Sequence, residues 1–145
     1  MDAAGFSLIQ QSIPSDSGLV VFDSNCVLCS KTIRILLRYD RKRKLYFTGN
    51  NSALIRRLKE KGMTFPQPES VLFIDHAGLY TEAGAILEIM KKCGMPLTAR
   101  LIGLLTPKPL RNGLYRTIAR NRYRWFGRTQ QCFIPAPENS GRFFL

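Results

Sequence analysis

This chain is short of histidine, tryptophan and acidic side chains: one His, one Trp, and 10 Asp and Glu against 22 Lys and Arg. No apolar run approaches the ~20 residues that a membrane-spanning helix needs. The first 18 residues carry Asp2 and Asp16 but no Lys or Arg. They lack the basic start of a secretory signal, so a cytoplasmic location is expected. Internal repeats and low-complexity tracts are missing too, and a content of 45% hydrophobic and 22% charged residues argues against disorder. At 145 residues the chain can bury a core without disulfide staples. Its four cysteines then read as thiols, metal ligands or redox groups rather than structural bridges. Zinc wants four ligands. Beyond a single Cys-x-x-Cys the candidates Cys93, Cys132 and His76 are scattered, which makes a structural metal site the lesser alternative.

What the chain does have is positive charge, +12 in total and unevenly placed. Ten Lys and Arg and no Asp or Glu lie between Ile89 and Pro137, and eleven more Lys and Arg lie between Lys31 and Lys61. This balance favours an acidic or polyanionic partner, or an anionic membrane surface, by long-range attraction. A solvated basic face is an equally good reading. Near the C-terminus, Tyr115, Ile118, Ala119, Arg122, Trp125 and Phe126 recur at helical spacing, beside a cationic stripe of Arg116, Arg120, Arg124 and Arg128. The ordinary expectation is that the aromatics dock this helix on the body while the arginines are solvated or salt-linked. Nucleic acid is a less favoured partner, because no known binding motif is present.

Element signals follow in a simple order. Leu19-Val20-Val21-Phe22 reads as a buried strand, and Lys31 to Tyr39 as a helix with Ile33, Leu36 and Leu37 inward. Leu45-Tyr46-Phe47 is a second strand, and Ser52 caps a helix from Ala53 to about Lys61. Pro66-Gln67-Pro68 breaks the chain before a strand over Ser70 to Ile74, and Asp75 to Gly78 turns into a short strand at Leu79 to Thr81. Helices are expected from about Ala83 to Lys92, Leu97 to Leu105 and Leu110 to about Phe126, then an extended tail from Gln131. Residues 1–17 read as a flexible lead-in, and 18–145 as one domain whose basic helical region covers about 97–130. Two βα units, a hairpin and a helix make a thioredoxin-like α/β domain, a three-layer sandwich with additional C-terminal helices.

Chemistry concentrates at Asp23-Ser24-Asn25-Cys26-Val27-Leu28-Cys29, where the first strand hands over to the first helix. A Cys-x-x-Cys in that context reads as a redox dithiol. The unpaired N–H groups of a first helical turn stabilise a thiolate. Cys26 is therefore the expected attacking thiol, and Cys29, expected to be the more buried, resolves the mixed disulfide. Lys31 and Arg34 lie close enough to favour the thiolate. Asp23 either carries the proton of Cys29 during resolution or caps and braces the loop. Cys93 reads as a small buried or capping residue and His76 as a loop residue. Cys132 is a packing residue or a third thiol.

Phe22-Asp23-x-x-Cys26-x-x-Cys29 resembles the motif of the DCC family of thiol-disulfide oxidoreductases. Glu69-Ser70-Val71-Leu72 resembles that family's Ser-led central strand. Leu110-Arg111-Asn112-x-x-Tyr115-Arg116-x-Ile118-Ala119-x-Asn121-Arg122-Tyr123-Arg124 resembles its basic C-terminal signature. The chain departs from the pattern at Ser24, Asn112 and Ala83-Gly84. The resemblance implies a thioredoxin-like fold and disulfide reduction or oxidation on a protein or small-thiol substrate, with no cofactor. It also implies that Glu69 or Ser70 stands where thioredoxins hold their substrate. The competing class is a basic thioredoxin-like module that binds an acidic protein or nucleic acid, its dithiol incidental.

Overall fold

Five buried residues in a row, Gly18–Phe22, form strand β1, and the rest of the molecule is arranged about it. The computed structural model describes residues 3–65, 71–128 and 136–144. Strand β2 (Leu45–Gly49) lies parallel to β1, with Gly18 opposite Leu45 and Phe22 opposite Gly49. On its other side β1 meets β3 (Leu72–Asp75) antiparallel, Val20 facing Phe73, and β4 (Gly78–Thr81) closes the hairpin. A short β5 (Phe143–Phe144) pairs parallel with β2, giving the order β4-β3-β1-β2-β5. Gly18 is required by close approach: a Cβ there would stand 2.1 Å from the Phe73 ring.

Side chains of β1 alternate between two cores, as the period of a strand dictates. Val20 and Phe22 face one side, with Ile33 of α2 (Val27–Tyr39) and Ala85 and Ile89 of α4 (Glu82–Lys92). Leu19 and Val21 face the other side, with Ile55 and Leu58 of α3 (Ala53–Glu60). This is the three-layer, thioredoxin-like α/β arrangement expected. Ser52 caps α3 as its position suggests, its Oγ accepting the Ile55 N–H at 3.2 Å. Two further helices, α5 (Pro96–Leu105) and α6 (Lys108–Phe126), pack outside α4, and α6 also meets α2. Among the described residues no helix is long and apolar enough to cross a membrane.

Two expectations need correction. The lead-in at 1–17 contains helix α1 (Ala3–Ser12), and Ile9 and Ile13 are buried in the second core. Phe6, Ile9 and Ile13 repeat every three to four residues, a periodicity that the turn-forming Pro14, Ser15 and Ser17 masked. The second correction concerns α6. Trp125 is 56% and Phe126 43% exposed, whereas Arg122 is buried, so an arginine and not the terminal aromatics docks this helix end.

The C-terminal tail, in its described part, is a 3-10 turn (Pro137–Arg142) running into β5. Its anchor is Arg142, buried against Asp40, whose carboxylate also accepts the Lys44 and Leu45 N–H groups at 3.1 and 2.8 Å. The Arg142 Nε donates to the Leu45 carbonyl at 2.9 Å, and Phe143 stacks on Phe47 with ring centres 5.0 Å apart.

Cys93 ends α4 and is buried, the small capping residue its position suggests. Burial pushes its thiol up from 9.0 to about 12, with Asp40 adding to the rise and Arg142 opposing it. An unfolded chain releases this proton above about 9, while the folded one keeps it to about 12. The stability held below pH 9 is therefore lost as pH rises through that window. Urea unfolding of Cys93→Ala should show a shallower alkaline decline than the parent, whatever its starting stability; an equal slope would show that Cys93 contributes nothing to it.

Candidate active site

Strand β1 ends at Phe22, and the loop Asp23-Ser24-Asn25 brings the chain to Cys26, the N-cap of α2. The cap is a thiol: the Cys29 N–H points at Cys26 Sγ, 3.4 Å away. Asp23 organises the loop, its backbone carbonyl accepting the Cys26 N–H at 3.2 Å and its Oδ1 accepting the Asn25 N–H at 3.0 Å. Both cysteines are free thiols. The strand–turn–helix handover thus places Asp23, Cys26 and Cys29 together, as the motif spacing suggests.

Burial runs against expectation. Cys29 is 7% exposed, but Cys26 is 0% exposed. The end of α6 runs alongside it. Gly127, at φ 88°, turns the chain in a way that favours glycine. Val27 N–H then meets the Gly127 carbonyl at 3.5 Å, and Cys26 bridges Arg128 in antiparallel fashion.

The cation at the site is also not the one expected. Lys31 and Arg34 are exposed on α2. Arg122 instead reaches in from α6, its Nη2 3.1 Å from Asp23 Oδ2, both side chains buried. The Tyr123 hydroxyl donates to the same oxygen. Arg122 and Arg128 flank the Tyr123 ring, their guanidinium carbons 4.8 and 4.0 Å from its centre. Helical spacing puts Arg122 on the same face as Tyr115, Ile118 and Ala119, apart from the cationic stripe, but nothing in the spacing names Asp23 as its partner. Burial, and after it Cys26, push the Cys29 thiol up to about 12. Arg122 and a backbone hydrogen bond from Asp23 pull it back.

Beside the thiols an apolar cavity of about 510 Å³ opens between α2, α4 and α6. Cys29 stands in its wall with Phe22, Leu28, Ile89 and Ala119, and Trp125 and Phe126 line the α6 side. Tyr115 ties this side to the sheet, its hydroxyl accepting the Val71 N–H at 2.9 Å. Glu69, Ser70 and Cys132, the other positions singled out in the sequence, lie outside the described residues.

A dithiol at the N-terminus of the helix that follows the central strand of such a sheet defines a thioredoxin-like class of protein. Within it the family is shown: the DCC1-like thiol-disulfide oxidoreductase model matches residues 20–128, and the chain belongs to that family. The uncharacterized protein YuxK of Bacillus subtilis is 29% identical over 126 residues, covering 86% of this chain and 92% of its own length. A chloroplastic DCC family protein of Arabidopsis thaliana is 29% identical over 116 residues, covering 79% of this chain and 67% of its own. No solved structure gives a significant match.

Proposed function

We propose that this chain is a thiol-disulfide oxidoreductase that cycles Cys26 and Cys29 between dithiol and disulfide on a protein or small-thiol substrate. The observation that carries the reading is the Cys29 N–H aimed at Cys26 Sγ at 3.4 Å, at the N-terminus of a 13-residue helix. Donors so placed hold negative charge on sulfur. Cys26 attacks the substrate disulfide, forming one S–S bond as the substrate's breaks and the first substrate thiolate leaves. Cys29 then attacks Cys26, releasing the second thiolate, and its proton goes to that leaving sulfur. Two electrons pass from the dithiol to the substrate, so no further cofactor is needed.

The surroundings support roles for the remaining parts. Cys29 keeps its proton at rest because its thiol is held near 12. Asp23, with Oδ1 on Asn25 and Oδ2 on Arg122 and Tyr123, acts as a positioning residue rather than a proton carrier. The apolar cavity receives the side chain next to the substrate disulfide. Residues 127–128 are expected to move aside for a substrate sulfur to reach Cys26. Equilibration against glutathione ratios, followed by thiol trapping and mass mapping, tests the reading. A reversible Cys26–Cys29 couple is expected, and a value near roughly −270 mV would mark a reductase. Failure to form that disulfide at any ratio would end it.

A further inference from the structure

We propose that the α5–α6 hairpin is a docking face for an anionic lipid bilayer. The starting observation is a row of leucines that the fold leaves outside. On α5, Leu97 is 80%, Leu104 76% and Leu105 72% exposed, and Leu101 joins them at the spacing of one helix face. Only Ala99 of this helix is buried. On α6, Leu110 and Leu114 are each 62% exposed, and the stripe runs on through Ile118 to Trp125. Isolated exposed leucines need no explanation, but six of them along the outer sides of two successive helices, both packed on α4, mark an interaction surface.

Charge decides what covers it. The sequence from Ile89 to Pro137 has ten Lys and Arg and no acidic residue. Arg100, Lys108, Arg120 and Arg124 are exposed on the same two helices as the leucines. An apolar face flanked by cations, with a tryptophan at its end, suits a helix lying at the boundary of headgroups and acyl chains. A protein partner fits less well, because leucine, which makes up most of this face, is under-represented among the energetic anchors of protein interfaces. Neither helix spans the bilayer. The hairpin lies on its surface.

Trp125 is the only tryptophan and stands where the stripe meets the cavity, so its emission is followed beside flotation, which reads docking independently. The intact protein is mixed with phosphatidylcholine vesicles, with and without phosphatidylglycerol, and followed by Trp emission and flotation. A blue shift and flotation are expected with the anionic vesicles alone, weakening as salt screens the charges. Arg120→Gln with Arg124→Gln should cut the affinity about thirtyfold, at about 1 kcal/mol per cation near the surface. Leu104→Gln with Leu105→Gln should cut it about a hundredfold, from the apolar area withdrawn. Both pairs are exposed, so the melting curve should hold and separate lost docking from lost fold. No shift with anionic vesicles, or equal binding to phosphatidylcholine, would overturn the proposal. So would a dimer in lipid-free solution that Leu104→Gln with Leu105→Gln dissolves.

Discussion

Cys26→Ser is expected to lower disulfide reduction by at least about a thousandfold, because a serine hydroxyl is no nucleophile toward sulfur at neutral pH. The remaining thiol cannot substitute. Burial, the largest cause of the raised Cys29 thiol, persists when Cys26 is replaced, so Cys29 stays protonated at neutral pH. Cys29→Ser stops the cycle one step later: Cys26 still attacks, and the mixed disulfide accumulates because nothing resolves it. Intact-mass measurement after mixing with a small disulfide separates the two. An adduct should appear in Cys29→Ser and not in Cys26→Ser. The reverse pattern would make Cys29 the attacking thiol, in keeping with its place in the cavity wall, and would reverse the proposed order of steps.

The order of burial bears on the same experiment. Cys26 is fully buried and its backbone bridges Arg128, so the proposed attack is expected to follow opening of the Gly127 and Arg128 contacts. Those contacts are a long backbone hydrogen bond and a single bridge, the kind of structure that opens locally at small cost. Cys29→Ser should therefore form its adduct faster with small disulfides than with folded protein substrates.

How much of this was legible in the sequence depends on whether a signal was local. The apolar run of β1, the Ser52 cap and the Cys-x-x-Cys at a strand–helix handover are each written in a few adjacent residues, and each appears where expected. Helix α1 was missed because Ile9 and Ile13 become informative only when the face made by α3 is there to receive them. The bridge to Cys26 was illegible for a related reason: it joins residues about a hundred positions apart, Cys26 with Arg128. Arg122 is the sharpest case. Its helical spacing marks the face it sits on, but only the fold shows that Asp23 waits there. Spacing can put an arginine on an inward face, but its partner lies about a hundred residues away.

That pair yields the second large effect. Arg122→Ala should destabilise the protein by about 3–5 kcal/mol, the usual consequence of leaving one charge of a buried pair without its partner. Asp23 would retain Tyr123 and the Asn25 N–H, which hold its oxygens but supply no positive charge. Replacing both charges, Asp23→Asn with Arg122→Met, keeps the volume and strands neither partner, so most of the stability should return in urea unfolding. Chemistry should not return with it. Arg122 is one of the groups that pull the Cys29 thiol down against burial, so its loss pushes that thiol further up and slows resolution of the mixed disulfide. In the double variant the first adduct should form at near the parental rate and decay slowly, with its decay recovering as pH is raised. A double variant that resolves as fast as the parent would confine Arg122 to holding α6 against the sheet. One that folds well and stalls at the mixed disulfide would make it a positioning residue for Cys29.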